Sequence, residues 1–249
     1  MSILSKIFKK KVVLPPADLS VLKTDMHSHL IPGIDDGAQT IEDSLELLRA
    51  MQDLGFKKVI TTPHIMSDHY KNTREIILKG LDDVRNAIAK DDELNIEIDA
   101  AAEYYLDENF IKKIKEKDLL TFGDNYVLFE LAFMIEPPNI VDATFEMQLA
   151  GYKPVLAHAE RYAYWYNNYE KYQDFVDKEI LLQLNINSLV GYYSPITKKI
   201  ADRMVDDGLF SFIGSDCHRI DHIAAMRDSL TEEHLHKILN SGKLLNHTL

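Results

Sequence analysis

Five of the ten histidines in this 249-residue chain, namely His27, His29, His64, His158 and His218, stand where a short apolar run gives out. So do the carboxylates Glu103, Glu130 and Asp216. The runs cover residues 21–22, 59–60, 96–102, 127–129, 155–157 and 210–213. Imidazole nitrogens and carboxylate oxygens are donors that hold manganese, iron and zinc. Gathered together they would make a multinuclear centre, whose chemistry is hydrolysis through charge neutralisation and activation of water. The pair in Asp25-Met26-His27-Ser28-His29 says little alone. Alternate strand residues face opposite ways, so both rings reach one cation only if the backbone bends. Its weight comes from Thr62-Pro63-His64, Ala157-His158 and Ser215-Asp216-Cys217-His218, which occupy equivalent points. Glu103 and Glu130 follow apolar runs where an unpartnered carboxylate is costly to bury, a cost that coordination removes.

Bringing these residues together is the task of the elements between them. Strands are expected at 24–26, 58–62, 96–102, 127–131, 154–157, 181–186 and 210–214. Helices are expected at 40–54, 73–89, 108–117, 139–150, 169–177 and 195–207, with two closing helices at 223–230 and 232–240. The first helix aligns Leu45, Leu48 and Met51 and stops at Gly55; the second carries apolar Ile76, Ile77, Leu81, Val84 and Ile88. Strands alternating with helices imply a parallel sheet with right-handed crossovers. The reading is an α/β fold, a distorted TIM-like (β/α)7 barrel with the ligands at its C-terminal rim. A doubly wound open sheet is the alternative, and ligands at the end of nearly every strand favour closure. Residues 1–20 read as an N-terminal extension and 21–249 as a single barrel domain.

Net charge is −12, from 40 acidic and 28 basic residues, which argues against a nucleic-acid partner. The lone Cys217 excludes an internal disulfide and suits a reducing cytoplasm. No apolar run approaches the roughly 18 residues of a transmembrane helix. Lys6, Lys9, Lys10 and Lys11 beside Ile3, Leu4, Ile7 and Phe8 suggest at most a weak membrane-surface contact through the N-terminus.

The motifs resemble those of the PHP (polymerase and histidinol phosphatase) superfamily. They are more closely similar to the bacterial manganese-dependent tyrosine phosphatases of capsule and exopolysaccharide loci. The likeness rests on Asp25-Met26-His27-Ser28-His29, Gly33-Ile34-Asp35-Asp36-Gly37-Ala38, Thr61-Thr62-Pro63-His64, Glu103, Glu130, His158-Ala159-Glu160-Arg161-Tyr162 and Gly214-Ser215-Asp216-Cys217-His218. It implies three divalent metal ions, manganese first, with iron or zinc equally compatible with the ligand types. His27, His29, Glu103 and Asp216 would hold one; Glu103, Glu130 and His158 a second; Asp36, His64 and His218 a third. It further implies a metal-bound water held at the Glu103 site as nucleophile, and Arg161 as the phosphate-binding residue. The implied partner is a phosphotyrosine protein, an autophosphorylating tyrosine kinase that controls polysaccharide synthesis. Phosphatases of this branch commonly carry a second arginine soon after the Asp-x-His motif, where this chain has Asp221-His222-Ile223; Arg219 and Arg227 are the nearby substitutes.

Other readings compete. A cysteine-dependent phosphatase needs an arginine six positions after its nucleophile, and residue 223 is Ile. Amidohydrolases also open with His-x-His, yet the sixth strand here ends in Asn185-Ile186-Asn187, without histidine. Candidate substrate contacts are Tyr162, Asn187, Arg219 and His222, with His69 and the Tyr192-Tyr193 pair near the rim. The alternatives to a tyrosine phosphatase are a phosphatase for a small phosphomonoester such as histidinol phosphate, and a metal-holding regulatory scaffold.

Overall fold

A computed structural model describes residues 14–249. The expected membrane-surface contact falls on residues 1–13 and lies outside the described residues. The elements run β1 (Thr24–Asp25), α1 (Ile41–Asp53), β2 (Lys58–Thr61), β3 (His64–Ile65), α2 (Arg74–Ile88), β4 (Glu97–Ala100), β5 (Glu103–Tyr105), α3 (Glu108–Glu116), β6 (Tyr126–Glu130), α4 (Ile140–Leu149), β7 (Lys153–Leu156), α5 (Glu170–Asp177), β8 (Leu181–Asn185), α6 (Pro195–Asp207), β9 (Phe212–Gly214), α7 (Ile220–Ser229) and α8 (Glu233–Leu239). Helix starts are fixed locally. Thr40 and Asp43 form a reciprocal capping box, and Thr73, Asp107 and Ser194 each accept a backbone N–H of the first turn.

All strand pairs are parallel. Two short strands were not expected: the expected strand at 58–62 is β2 and is followed after a break by β3, and the one at 96–102 is β4 and is followed by β5. The cause is local: Pro63 has no N–H to give, and the Thr62 N–H turns away to the Ser28 carbonyl at 2.6 Å. Pairing resumes in the same register, Lys58 opposite Glu97 before the break and His64 opposite Glu103 after it. The sheet curls until β9 meets the chain following β1. Ser28 and Cys217 form a parallel bridge, the Asp216 N–H donates to the His27 carbonyl at 2.8 Å, and the His29 N–H to the Cys217 carbonyl at 2.9 Å. The result is a distorted TIM-like barrel.

Alternation along the strands sorts the core into two layers. Met26, Ile60, Leu128, Val155 and Phe212 pack together inside the curled sheet, over Phe122 and Tyr126. Val59, Val127, Phe129, Leu156 and Ile213 pack outward under the helices. On β6 the inward set is Tyr126 and Leu128, so the next inward side chain is Glu130: the same period that fills the barrel delivers a ligand to its rim.

Candidate metal centre and active-site cavity

Three clusters of ligand atoms meet above the inner core. His27 and His29 approach through their Nε2 atoms at 3.3 Å. Glu103 Oε2 lies 3.2 and 3.4 Å from those nitrogens, and Asp216 Oδ1 lies 3.4 and 3.6 Å away. In a second cluster Glu103 Oε1 sits 3.0 Å from His158 Nε2, and His64 Nδ1 lies 3.2 Å from Glu103 Oε2 and 3.1 Å from Glu130 Oε1. In a third, Asp36 Oδ1 faces His64 Nε2 at 3.5 Å and His218 Nε2 at 3.4 Å. Every ligand-type side chain singled out in the sequence is therefore in this constellation. His64 stands between the second and third clusters, one ring nitrogen turned to each.

These spacings fit cations. Donors held about 2.1 Å from a common ion are separated by roughly 3.0–3.4 Å. His64 Nδ1 is buried between two carboxylates yet makes no hydrogen bond, which leaves its lone pair for coordination. Three of the rings also have their far nitrogen anchored. His27 Nδ1 meets Gln183 Oε1 at 3.0 Å, His29 Nδ1 meets Asp35 Oδ2 at 2.8 Å, and His218 Nδ1 meets the Asp216 carbonyl at 2.9 Å. Such contacts set the tautomer that presents Nε2 as donor. Burial alone would lower the pKa of His27, but the charges of Glu103 and Asp216 outweigh it and raise it to about 9. Burial likewise opposes ionisation of Glu103, and the surrounding histidines nevertheless hold its carboxyl well below the usual range. The pocket is a field that favours positive charge.

Backbone geometry completes the aim. Val155 and Ala157 face the interior, so a regular strand would send His158 outward; its φ of 33° turns it back. Asp216 is also left-handed, with φ 49°. Each such conformation costs a non-glycine residue about 1–3 kcal/mol and persists only where its surroundings enforce it. Gly37 serves the Asp36 loop by close approach, since a Cβ there would lie 2.1 Å from the His29 carbonyl oxygen.

Above the clusters opens a cavity of about 570 Å³. Arg161 lines it, with NH1 donating to Asp216 Oδ2 at 2.8 Å and the guanidinium flanked by the rings of Tyr193 at 4.0 Å and Phe133 at 4.7 Å. Arg219 and His222 line the same cavity, whereas Arg227 lies exposed on α7. A larger cleft of about 800 Å³ between α1 and α2, lined by Pro32, Leu45, Lys90 and Asp91 among others, has no converging ligands and is not the chemical site.

Two expected substrate contacts are corrected. Tyr162 is fully buried, and its hydroxyl accepts the Leu131 N–H at 3.0 Å; it supports Phe133 and His158 from behind. Asn187 is fully buried in the turn after β8 and does not line the cavity. Conversely, several site residues escaped sequence reading. Asn185 donates to Asp216 Oδ2 at 2.9 Å and to the Tyr193 hydroxyl at 2.7 Å. Gln183 accepts from the His158 N–H at 2.8 Å as well as from His27. Asp35 accepts from His29, from the Gly37 N–H and from the His64 N–H. The available signal was polarity at a buried strand position, as in Leu182-Gln183-Leu184-Asn185. Cys217 is buried, and burial raises its thiol well above the ordinary pKa, the opposite of an activated nucleophile.

Residues 23–237 match the family model described as Capsular polysaccharide synthesis, CpsB/CapC. The chain belongs to the CpsB/CapC family. It is 29% identical over 197 residues to the tyrosine-protein phosphatase YwqE of Bacillus subtilis, covering 79% of this chain and 77% of that one. Its fold superposes with a TM-score of 0.77 and 27% identity, over 90% of this chain and 94% of the other, on a structure from work on YwqE of Bacillus subtilis and CpsB of Streptococcus pneumoniae. Those proteins are described as unique metal-dependent tyrosine phosphatases. The histidinol phosphate phosphatase of Lactococcus lactis shares the fold alone, with a TM-score of 0.52 and 14% identity over 84% of this chain and 92% of that one. A CpsB/CapC chain with this fold thus carries clustered metal-ligand side chains beneath an arginine-walled cavity. Among the described residues no helix is long and apolar enough to cross a membrane.

Proposed function

We propose that this chain is a metal-dependent phosphomonoester hydrolase that removes phosphate from phosphotyrosine in proteins. The observation that carries the reading is the convergence of the ligand clusters beneath one cavity whose wall holds Arg161. His27, His29, Glu103 and Asp216 would hold one divalent cation, Glu103, Glu130 and His158 a second, and Asp36, His64 and His218 a third, with manganese the expected metal. Bound there, such cations neutralise a phosphate dianion and make water a competent nucleophile near neutral pH. Arg161 presents a planar fork to two phosphate oxygens, a geometry that lysine does not match. The rings of Phe133 and Tyr193 flank that fork and limit where it can point. Asn185 steadies Asp216 while Arg161 exchanges its carboxylate partner for substrate. A tyrosine phenolate, with an unperturbed pKa near 10, departs with less protonation than an alkoxide requires. The activity borne by the relatives supports the same substrate. The working context we assign is the cytoplasm, with an autophosphorylating tyrosine kinase of capsular or exopolysaccharide synthesis as partner.

The test compares phosphotyrosine peptide, phosphoserine peptide and histidinol phosphate on manganese-loaded protein. The expected outcome is a preference for phosphotyrosine of about 100-fold in kcat/KM, abolished by a chelator and restored by manganese. A preference for histidinol phosphate would overturn the substrate. No turnover with manganese, iron or zinc would point instead to a metal-holding scaffold.

A further inference from the structure

The loop between β6 and α4 carries a feature that metal chemistry does not use. Phe133 lines the cavity and packs on Arg161. The next two residues, Met134 and Ile135, are 88% and 75% exposed. Single exposed apolar residues are ordinary, but adjacent ones continuing into a patch mark contact surfaces. Here the patch continues down α4, where Val141, Phe145 and Leu149 are exposed at the four-residue spacing of one helix face while Ile140, Ala143 and Met147 are buried on the other. Along the chain the strip thus follows directly on Phe133, a residue of the cavity lining. Pro137 and Pro138 restrict the loop backbone, and the neighbouring Glu136 is paired with Lys171 at 3.1 Å.

We infer that Met134 and Ile135 form a subsite for apolar side chains flanking the phosphotyrosine of a polypeptide substrate. The inference rests on the tyrosine-phosphatase reading and names its substrate more closely. A small phosphomonoester would end within the cavity and leave the strip uncovered. A polypeptide entering with its phosphotyrosine over Arg161 extends past the mouth, where Phe133 connects cavity to strip. Apolar flanks suit both the loop and a protein of net charge −12, which disfavours an acidic peptide.

The test uses the full manganese-loaded chain and a Met134→Ser, Ile135→Ser double variant. Substrates are free phosphotyrosine, a phosphotyrosine peptide flanked by leucine and valine, and the same peptide flanked by glycine and serine. The wild type should prefer the apolar-flanked peptide. In the variant, kcat/KM for that peptide relative to free phosphotyrosine should fall by about tenfold, as expected for losing two apolar contacts. A ratio within about twofold of wild type overturns the inference, and so does a wild type indifferent to the flanks. If the variant instead dissociates a wild-type dimer and leaves the ratio unchanged, the patch belongs to a second copy of the chain and the inference fails. A wild type inactive on free phosphotyrosine and both peptides would sink the underlying reading as well, which separates the two failures.

Discussion

Asp216→Ala is expected to lose bound metal and turnover together, with kcat/KM falling by about a thousandfold or more. One carboxylate serves several partners here. Its Oδ1 faces His27, His29 and His218, while Oδ2 takes the Arg161 fork and the Asn185 amide. Burial resists its ionisation, but His27, His218 and Arg161 hold it well below the ordinary carboxylate range, so it is an anion throughout the working pH range. Alanine leaves Arg161 and the histidine cluster facing each other without the charge between them, and removing one partner from a buried set costs about 3–5 kcal/mol. Elemental analysis by plasma mass spectrometry, run beside the kinetics, makes the check. A variant that keeps full metal content and loses only activity would move Asp216 out of the ligand set.

Arg161→Ala is expected to divide those two readouts. Metal content should stay near wild type, while kcat/KM for phosphotyrosine peptide drops by about 10²–10³, because charge-assisted hydrogen bonds to a phosphate are each worth about 1.5–3 kcal/mol. Most of Arg161's surroundings survive the change: Phe133 and Tyr193 remain, and Asp216 retains Asn185. Arg161→Lys should recover only part of the loss, since it restores charge without the fork. Inorganic phosphate supplies an independent measure as a competitive inhibitor, and its inhibition constant should weaken in parallel. Metal lost from Arg161→Ala would make Arg161 a structural strut.

Much of this centre was legible in the chain because two periodicities wrote it. Alternation along β6 places Glu130 two residues beyond Leu128, and apolar runs ending in His64, Glu103, His158 and Asp216 mark the rim of a parallel barrel. The first two helices were legible in their apolar spacing, as with Leu45, Leu48 and Met51 before the Gly55 stop. What stayed hidden depends on three-dimensional choices. The left-handed turn at His158 has no compositional mark, as glycine would have provided. Gln183, Asn185 and Asp35 are polar residues whose partners lie on other strands or loops, so their roles appear only once the barrel closes. Tyr162 failed for the converse reason. Adjacency to Arg161 suggested a surface role, whereas the turn following β7 points its ring into the core.

On the proposed reading, the two oxygens of Asp216 would also make the arginine and the candidate cation sites parts of one equilibrium. Asp216 would help to hold a cation through its side facing His27 and His29, and the charge so neutralised would weaken its hold on Arg161 and free the guanidinium for an anion. By thermodynamic reciprocity, an anion that takes Arg161 away must tighten the cation by the same factor. Phosphate, the product of the proposed reaction, would then act as a clasp. The dissociation constant for the metal, measured by competition with a chelator, should fall when phosphate is present, and Arg161→Ala should erase that difference.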